Sequence, residues 1–467
     1  EICACLVGSE MCIRDSINMQ VTDLAQAAPS VWGMDPKIVA TAIVVVCYAI
    51  LFTEKLNRAV VALLGAALMI FSGILTQETA LQGIDFNTIS LLVGMMTIVG
   101  ISEKSGMFQF VAVWGAKKVR ANPRGLLIVL AFVTAVFSAF LDNVTTVLLI
   151  APVTFQITRK LKINPYPYLI LEIFASNIGG TATLIGDPPN ILIGSALQLS
   201  FMDFVYELAP IVAITMIVLV FGFDLIWHKS LLTTEKNKQA VMRISEKDTI
   251  TDWKLLGKSL FVLALVIAGF ISAEHIHIAN GTIAIAGAAV LLLLYTFGNR
   301  HDERERKVEE AFNLIDWTTI FFFSGLFVIV YGLEETGILR MLGQKFIELT
   351  DGSIQKSTML IVWISAILSS AIDNIPFVAT MIPMIKSMEA SMGGREAMMP
   401  VWWALSLGAC FGGNGTLIGA SANVIVAGMA QREGHPIHFM RFLIWSIPVM
   451  LISVLIATIY LHFQYFV

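Results

Sequence analysis

Residues 176–190 read SNIGGTATLIGDPPN and interrupt an otherwise lipid-soluble part of the chain. Glycine and proline disfavour the interior of a helix, and an aspartate is costly at bilayer depth. The flanking residues 168–174 and 191–199 are nevertheless apolar enough to lie in a membrane. The stretch therefore predicts a broken membrane helix. Irregular backbone at this depth is tolerated only where it is buried in protein or lines a cavity, so the break marks a candidate functional site.

The composition is that of a polytopic membrane protein. Hydrophobic residues make up 57% of the 467 residues and charged residues only 14%, against roughly 25% charged in a soluble domain. The net charge of −4 indicates no nucleic-acid partner, and the sequence has no G-x-x-x-x-G-K-[ST] loop with which to hydrolyse a nucleotide. No nucleophile and base stand together, so we do not expect an enzyme. Any energy that the protein uses would come from elsewhere, most simply an ion gradient, and no cofactor is expected beyond a bound sodium ion or proton.

The first twenty residues differ in character from the rest. The run LVGSEMCIRDS at 6–16 resembles translated sequencing-adapter read-through more than a signal peptide, because it lacks a basic region followed by an apolar core. We expect an artefactual or disordered leader at 1–20 and a single membrane domain at 21–467. Within that domain we place repeat 1 at about 55–228, a basic cytoplasmic linker at about 228–254 and repeat 2 at about 254–466.

Two apolar segments carry a polar residue pair near their middle. A window of about 20 residues gives apolar segments at 37–52, 57–75, 86–103, 125–158, 166–199, 204–227, 254–273, 281–298, 316–333, 357–387, 400–430 and 441–464. Asp142-Asn143 divides 125–158 into arms that are short for a full crossing, and both ends of the segment are basic. A re-entrant hairpin from the cytoplasmic side satisfies this pattern. Segment 357–387 predicts a second hairpin, with Asp373-Asn374 at its tip.

The same motifs occur twice along the chain. Asp142 and Asn143 recur in the second half as Asp373 and Asn374. The broken helix recurs from Gly412 onward, with seven identities in the twelve positions that begin at Gly179. Each half has an odd number of crossings, so the two repeats are predicted to be inverted, with one hairpin entering from each face. The predicted fold class is an all-α polytopic membrane protein with two inverted repeats, each with a re-entrant hairpin and a broken helix.

Inverted repeats whose discontinuous helices meet at the midplane are typical of secondary transporters. The candidate substrate- or ion-binding residues are the polar and glycine positions of the tips and breaks, namely Asp142, Asn143, Thr145, Ser176, Asn177, Gly180, Thr181, Asp187, Asn190, Asp373, Asn374, Gly413, Asn414, Thr416 and Asn423. Glu172, in the apolar run before the first break, is a candidate for proton or cation coupling. No catalytic or metal site is predicted.

Each candidate also has a structural explanation. The hairpin-tip aspartates could cap helices, because Asp is a favoured cap residue. Asp187, before two prolines, could initiate a turn, and Glu172 could make a structural hydrogen bond. The asparagines could brace the breaks. Cys410, beside the second break, could contact a thiophilic substrate, but a single cysteine in an apolar segment is usually a packing residue.

Four motifs together resemble the ion transporter superfamily. They are FLDNVTTVLLIAPVT at 140–154, SNIGGTATLIGDPPNILI at 176–193, SSAIDNIPFVATMIP at 369–383 and ACFGGNGTLIGASANVI at 409–425. Their spelling is similar to the branch of arsenite permeases, NhaD-type sodium/proton antiporters and the P protein, which carries a citrate transporter-like domain. The resemblance implies elevator-like movement, a homodimer and a multi-pass location in the cell (cytoplasmic) membrane. The partners expected from it are the lipid bilayer and a small inorganic ion or small anion as substrate.

The tip sequences separate two kinds of substrate. In the dicarboxylate carriers of this superfamily each tip has a Ser-Asn-Thr triplet, whereas here the first tip reads Asp142-Asn143-Val144. An aspartate beside a bound anion would repel it in a low-dielectric site. We therefore expect a secondary active transporter coupled to protons or sodium. The alternatives are an efflux permease for arsenite or another oxyanion, a dicarboxylate or citrate symporter, and an ion channel.

The distribution of lysine and arginine predicts the orientation of the chain. With the two hairpins excluded ten crossings remain, and with both termini outside, 23 of the 30 basic residues lie at cytoplasmic ends. A tag inserted near Lys236 should therefore be cytoplasmic, and a tag after Val467 should be external. Protease protection in intact cells measures this. Digestion of the Lys236 tag from outside would contradict the layout.

Overall fold

The computed structural model describes residues 34–53, 55–229 and 231–467, and within these ranges it is helical, with no β-strand. The predicted leader at 1–20 lies outside the described residues. The helices up to the linker are α1 (Pro36–Thr53), α2 (Arg58–Phe71), α3 (Gln77–Gln82), α4 (Phe86–Glu103), α5 (Met107–Lys118), α6 (Pro123–Phe140), α7 (Asn143–Leu161), α8 (Tyr166–Gly180), α9 (Pro188–Leu197) and α10 (Phe201–Trp227).

The linker and the second half of the chain are also helical. The linker holds α11 (Glu235–Met242) and a 3₁₀ turn (Lys247–Thr249). The helices that follow are α12 (Trp253–Ile276), α13 (Asn280–Thr296), α14 (His301–Phe312), α15 (Trp317–Glu335), α16 (Ile338–Leu349), α17 (Ile354–Ala371), α18 (Asn374–Glu389), α19 (Gly394–Ala397), α20 (Met399–Gly412), α21 (Ser421–Arg432) and α22 (Phe439–Tyr465).

The sequence repeat is also a repeat of helix boundaries. The hairpins are α6 with α7 and α17 with α18, and their first residues are separated by the same interval as the aspartates at their tips. The broken helices are α8 with α9 and α20 with α21, and their first residues are separated by the same interval as Gly179 and Gly412. The predicted fold class is therefore confirmed. The short helices α5 and α16 also occupy equivalent positions in the two repeats. They were not predicted, because neither lies in one of the apolar segments.

The hairpin arms are longer than the apolar windows suggested. Arms α6 and α7 have 18 and 19 residues. Polar residues extend the start of α6 and the end of α7 beyond the apolar segment. Asn122 accepts a hydrogen bond from the backbone N–H of Arg124, and Pro123 occupies the first turn, where its missing N–H costs nothing. At the other end Arg159 and Lys160 lie in the last turn of α7, where cations interact favourably with the helix dipole.

Eight of the described helices are long and apolar enough to cross a membrane, and three more are apolar but shorter. Two of the eight, α6 and α17, are first arms of hairpins. By length and composition, the remaining six, together with the shorter α2 and α13 and the two broken helices, equal in number the ten crossings predicted from the sequence.

Two compact units can be distinguished in the chain. In one unit, residues 321–338 pack with the helices before Ile84. Gly325 lies so close to α2 that a Cβ there would stand 2.6 Å from the backbone carbon of Ala62. The other unit comprises residues 85–320 and 339–467 and contains both hairpins and both broken helices.

Each hairpin packs closely on the broken helix that follows it. Ser138 on α6 donates a hydrogen bond to the Ser176 carbonyl at 2.6 Å, and the repeat-related Ser369 on α17 donates to the Ala409 carbonyl at 2.7 Å. A Cβ at Gly412 would lie 2.6 Å from the Ala366 carbonyl oxygen, so the backbones approach as they do at small-residue interfaces in membranes. These contacts fix each hairpin tip beside a helix break.

Ion pairs connect segments that the sequence assigned to the cytoplasmic side. Arg124 pairs with Asp224 and Arg159 pairs with Glu433. Lys117 pairs with Glu246 of the linker, and the hydrogen-bonded Lys117 ammonium holds the pKa of the Glu246 carboxyl below its usual value. The ion pairs place these segments near one another, as the predicted orientation requires, and the orientation itself stays a prediction.

Candidate functional site

The two hairpin tips converge on the carboxylate of Asp187, which follows the first helix break. Asp187 is 0% exposed. Its Oδ1 accepts hydrogen bonds from Asn143 Nδ2 at 3.4 Å and from Asn374 Nδ2 at 3.2 Å. Its Oδ2 has no hydrogen-bond partner among the described residues. The Cys410 thiol also lies close enough to interact with this carboxylate. One carboxylate oxygen, at a point that both repeats reach, therefore has no N–H or O–H donor among the described residues.

Asn177 connects this carboxylate site to the second helix break. Its Oδ1 accepts from Asn143 Nδ2 at 3.2 Å, and its Nδ2 donates to Asn414 Oδ1 and to Asn423 Oδ1, both at 3.0 Å. The Nδ2 of Asn414 is buried and finds no partner in the part of the chain that the structure describes. We call Asn143, Asn177, Asp187, Asn374 and Asn414 the central cluster.

Asp142 and Asp373 do cap helices, as the structural alternative held. Asp142 accepts the Thr145 backbone N–H at 2.8 Å, and Asp373 accepts the Ile375 backbone N–H at 3.2 Å and the Ser421 hydroxyl at 3.1 Å. Both carboxylates are half-buried and close enough for their charges to act on Asp187. A carboxylate that caps a helix keeps its negative charge, so the two aspartates still contribute to the electrostatic potential at the central cluster.

Asp187 differs from these caps in how its side chain is used. It occupies the cap position of α9 but makes no side-chain capping bond. The repeat-related position, Ala420, has no carboxylate at all. The buried carboxylate is therefore an asymmetric feature placed on a symmetric scaffold.

Asn190 and Asn423 brace the broken backbone. The Asn190 amide donates to the Thr181 carbonyl at 3.0 Å and the Thr183 carbonyl at 2.9 Å. The Asn423 amide donates to the Gly413 carbonyl at 2.8 Å and the Thr416 carbonyl at 2.9 Å. Since carbonyls without partners are costly at membrane depth, these two amides stabilise the breaks. Their oxygens face other side chains of the site.

The remaining predicted residues lie around the central cluster. The hydroxyls of Ser176, Thr181 and Thr416 donate to the carbonyls of Ile173, Asn177 and Ser370, respectively. The Thr145 hydroxyl donates to Asp142. Gly180 is the last residue of α8 and Gly413 directly follows α20. A Cβ on Gly180 would meet the Gly186 carbonyl oxygen at 2.5 Å. These donors are committed to local bonds, so any role in binding falls to their oxygens.

Glu172 forms a second buried acidic position on α8. The side chain is 2% exposed, its Oε1 accepts the Thr154 hydroxyl, and its Oε2 has no partner among the described residues. The repeat-related residue is Leu405. Glu172 precedes Asn177 on the same helix and lies outside the central cluster.

Two contacts of the site were not foreseen from the sequence. Ser406 donates to Asn190 Oδ1 at 2.6 Å, and the Cys410 thiol donates to the same oxygen at 3.8 Å. Ser406 is a fully buried serine in an otherwise apolar part of α20. That isolation within an apolar run is the signal that could have identified it.

Helix ends supply further electrostatics at the central cluster. The N-termini of α7, α9, α18 and α21 meet there, as the contacts of Asn143, Asp187, Asn374 and Ser421 establish. Each N-terminus is equivalent to about half a positive charge. Their combined charge of about +2 is opposed by three carboxylates, from Asp142, Asp187 and Asp373. The charge balance is therefore negative when all three are ionised.

The fold and its buried polar centre define a multi-pass membrane transport protein. The sequence profile of the citrate transporter family (CitMHS) matches residues 48–408. The chain belongs to this family.

Relatives are known in bacteria and animals. The chain is 42% identical to the uncharacterized transporter Rv2684 of Mycobacterium tuberculosis, over 92% of this chain and 99% of that one. It is 33% identical to the human P protein, over 98% of this chain and 61% of that protein. Among solved structures, the YdaH transporter of Alcanivorax borkumensis is similar in fold, with a TM-score of 0.57 at 12% identity, covering 92% of this chain and 98% of that one.

The different hydrogen bonds of the asparagines lead to a test. Asn423→Ala leaves the buried Gly413 carbonyl without a partner and the Thr416 carbonyl with only the Gly419 backbone N–H. The unsatisfied Gly413 carbonyl is expected to cost about 1–3 kcal/mol. Asn414→Ala removes only one acceptor, and Asn177 Nδ2 keeps its bond to Asn423. Thermal unfolding of the purified protein in detergent should therefore show a much larger loss for Asn423→Ala. Equal losses would contradict the distinction between brace and central cluster.

Proposed function

We propose that the protein is a secondary active ion transporter of the arsenite permease, NhaD and P protein type, coupled to protons or sodium. The central cluster is its binding site, and alternating access occurs around it. The observation that carries the proposal is the free Oδ2 of a fully buried Asp187 held between both hairpin tips. A carboxylate in this position must bind a cation or a proton during the cycle, because an isolated buried charge is costly.

The ligand chemistry of the central cluster favours a cation. Asp187 Oδ2 is a carboxylate oxygen, and the asparagines add neutral oxygens. Oxygen ligands of this kind suit hard cations. The four motifs of the tips and breaks contain no lysine or arginine, and a doubly charged anion would ordinarily be bound by such side chains or by helix N-termini. Here the N-termini already face three aspartates.

The hairpins support alternating access over a continuous pore. Asn143 and Asn374, at the two tips, both donate to Asp187, so the two hairpins meet at one buried atom. A channel would need an open path past this contact. Movement of hairpins and broken helices against the rest of the protein can expose the central cluster to each side in turn.

A citrate or dicarboxylate symporter is the second candidate. It is favoured by the family to which the chain belongs and by the convergence of four helix N-termini, which attract anions. In that case the carboxylates would have to bind the coupling cations beside the anion. The two candidate functions differ in whether an anion is bound beside the cation or proton that Asp187 binds.

Flux through proteoliposomes made with the purified protein tests the proposal. Separate arms impose a pH gradient or a sodium gradient and offer arsenite or citrate. Transport is expected to depend on the pH or sodium gradient, with citrate a poor substrate. Asp187→Asn should weaken the coupling by about tenfold or more, since a hydrogen bond or contact to a charged group contributes about 1.5–3 kcal/mol.

The control is Asp248→Asn, which neutralises an exposed aspartate in the linker and should leave coupling unchanged. Asp142→Asn and Asp373→Asn keep a residue that can cap a helix, so folding should survive while coupling is reduced. Saturable citrate uptake by the unsubstituted protein would favour the carboxylate carriers, and transport that all three site substitutions leave unchanged would defeat the proposal.

A further inference from the structure

A cavity of about 450 Å³ lies away from the central cluster, where α8 begins and α10 ends. It is lined by Lys162 before α8, Tyr166 in its first turn, Trp227 at the end of α10, and Arg441 and Trp445 in the first turns of α22. These residues belong to one compact unit. By the distribution of basic residues along the chain, this end of the unit faces the cytoplasm.

The cavity is positively charged. Lys162 and Arg441 are both exposed, and none of the described residues that line the cavity is acidic. The aspartate one turn before Trp227, Asp224, is already paired with Arg124. The charges of Lys162 and Arg441 are therefore not cancelled within the lining.

Aromatic rings hold the arginine and form one wall. The Arg441 guanidinium lies 4.4 Å from the centre of the Tyr166 ring. The rings of Trp227 and Trp445 are 4.6 Å apart, and Trp227 meets Tyr166 edge-on at 6.5 Å. Tryptophan and tyrosine concentrate where membrane proteins cross the boundary between lipid and water. The aromatic lining is thus of the kind that favours the depth of lipid headgroups.

The rim of the cavity is apolar and uncovered. Ile444 is 66% exposed and Leu232 is 76% exposed, and both line the cavity. Close by on α10, Ile226 is 54% exposed. A ligand with a charged head and hydrocarbon chains would match both parts of this surface.

We propose that this cavity binds a phosphate group and that the phosphate belongs to an anionic phospholipid of the cytoplasmic leaflet. The planar guanidinium of Arg441 can donate two parallel hydrogen bonds to phosphate oxygens, and the Lys162 ammonium adds a mobile point charge. Basic pockets between membrane helices on the cytoplasmic side are suited to such headgroups, and that leaflet is rich in anionic lipid. The lipid chains lie along Ile444 and Leu232.

Binding to the purified protein in detergent tests the proposal. The thermal unfolding midpoint is followed while phosphatidylglycerol, phosphatidylcholine or inorganic phosphate is added, since a ligand of the folded state raises the midpoint. Phosphatidylglycerol is expected to raise it at lower concentration than either alternative. The double variant Lys162→Gln with Arg441→Gln should weaken the apparent affinity for phosphatidylglycerol by about tenfold or more.

Lys160→Gln is the matched control. Lys160 is an exposed cation in the last turn of α7, directly before Leu161 and Lys162, but it does not line the cavity. This variant should bind phosphatidylglycerol as the unsubstituted protein does. Lys162→Gln alone should lose affinity without loss of lipid-free stability, which separates binding from folding if the Arg441 change is disruptive. Equal responses to phosphatidylglycerol and phosphatidylcholine, or unchanged affinity in the Lys162→Gln variant, would overturn the proposal. A response to inorganic phosphate at lower concentration than to phosphatidylglycerol would overturn the lipid assignment.

Discussion

The constraint on which the structure depends is the need to pair backbone carbonyls where a helix breaks inside a membrane. At such depth there is no water to satisfy them. The same arrangement occurs in both repeats. One asparagine, Asn190 in the first repeat and Asn423 in the second, donates hydrogen bonds to two backbone carbonyls of its own helix break. Ser138 and Ser369 then tie each hairpin to the broken helix behind it. The breaks can be irregular because these side chains replace the missing helical bonds.

Stable breaks permit a polar centre that would otherwise be too costly. Once the backbone is satisfied, Asn143, Asn177, Asn374 and Asn414 can use their amides on one another and on Asp187. Each amide both donates and accepts, so the cluster can rearrange its bonds when an ion or proton enters. The unpaired Asp187 Oδ2 and Asn414 Nδ2 are the atoms at which this cluster departs from full satisfaction. Such departures are expected where a protein trades stability for function.

Much of this arrangement could be predicted from the sequence. The two breaks, the two hairpins and their regular recurrence in the second half follow from residue types that disfavour membrane helices. The separate uses of the aspartates could not be predicted, because Asp142, Asp187 and Asp373 each directly precede a helix, where an aspartate side chain can cap it. Only the packing decides that two of them cap while the third turns to the centre. The asparagine bonds likewise depend on side chains that lie in opposite halves of the chain.

The central claim is that Asp187 changes its protonation or ion occupancy during transport. Infrared difference spectroscopy of the purified protein, recorded as pH and sodium concentration are changed, measures this directly through the carboxyl band of a buried acid. The account predicts a buried carboxyl signal that responds to pH or sodium and disappears in the Asp187→Asn variant. A difference spectrum that is the same in both proteins would contradict it.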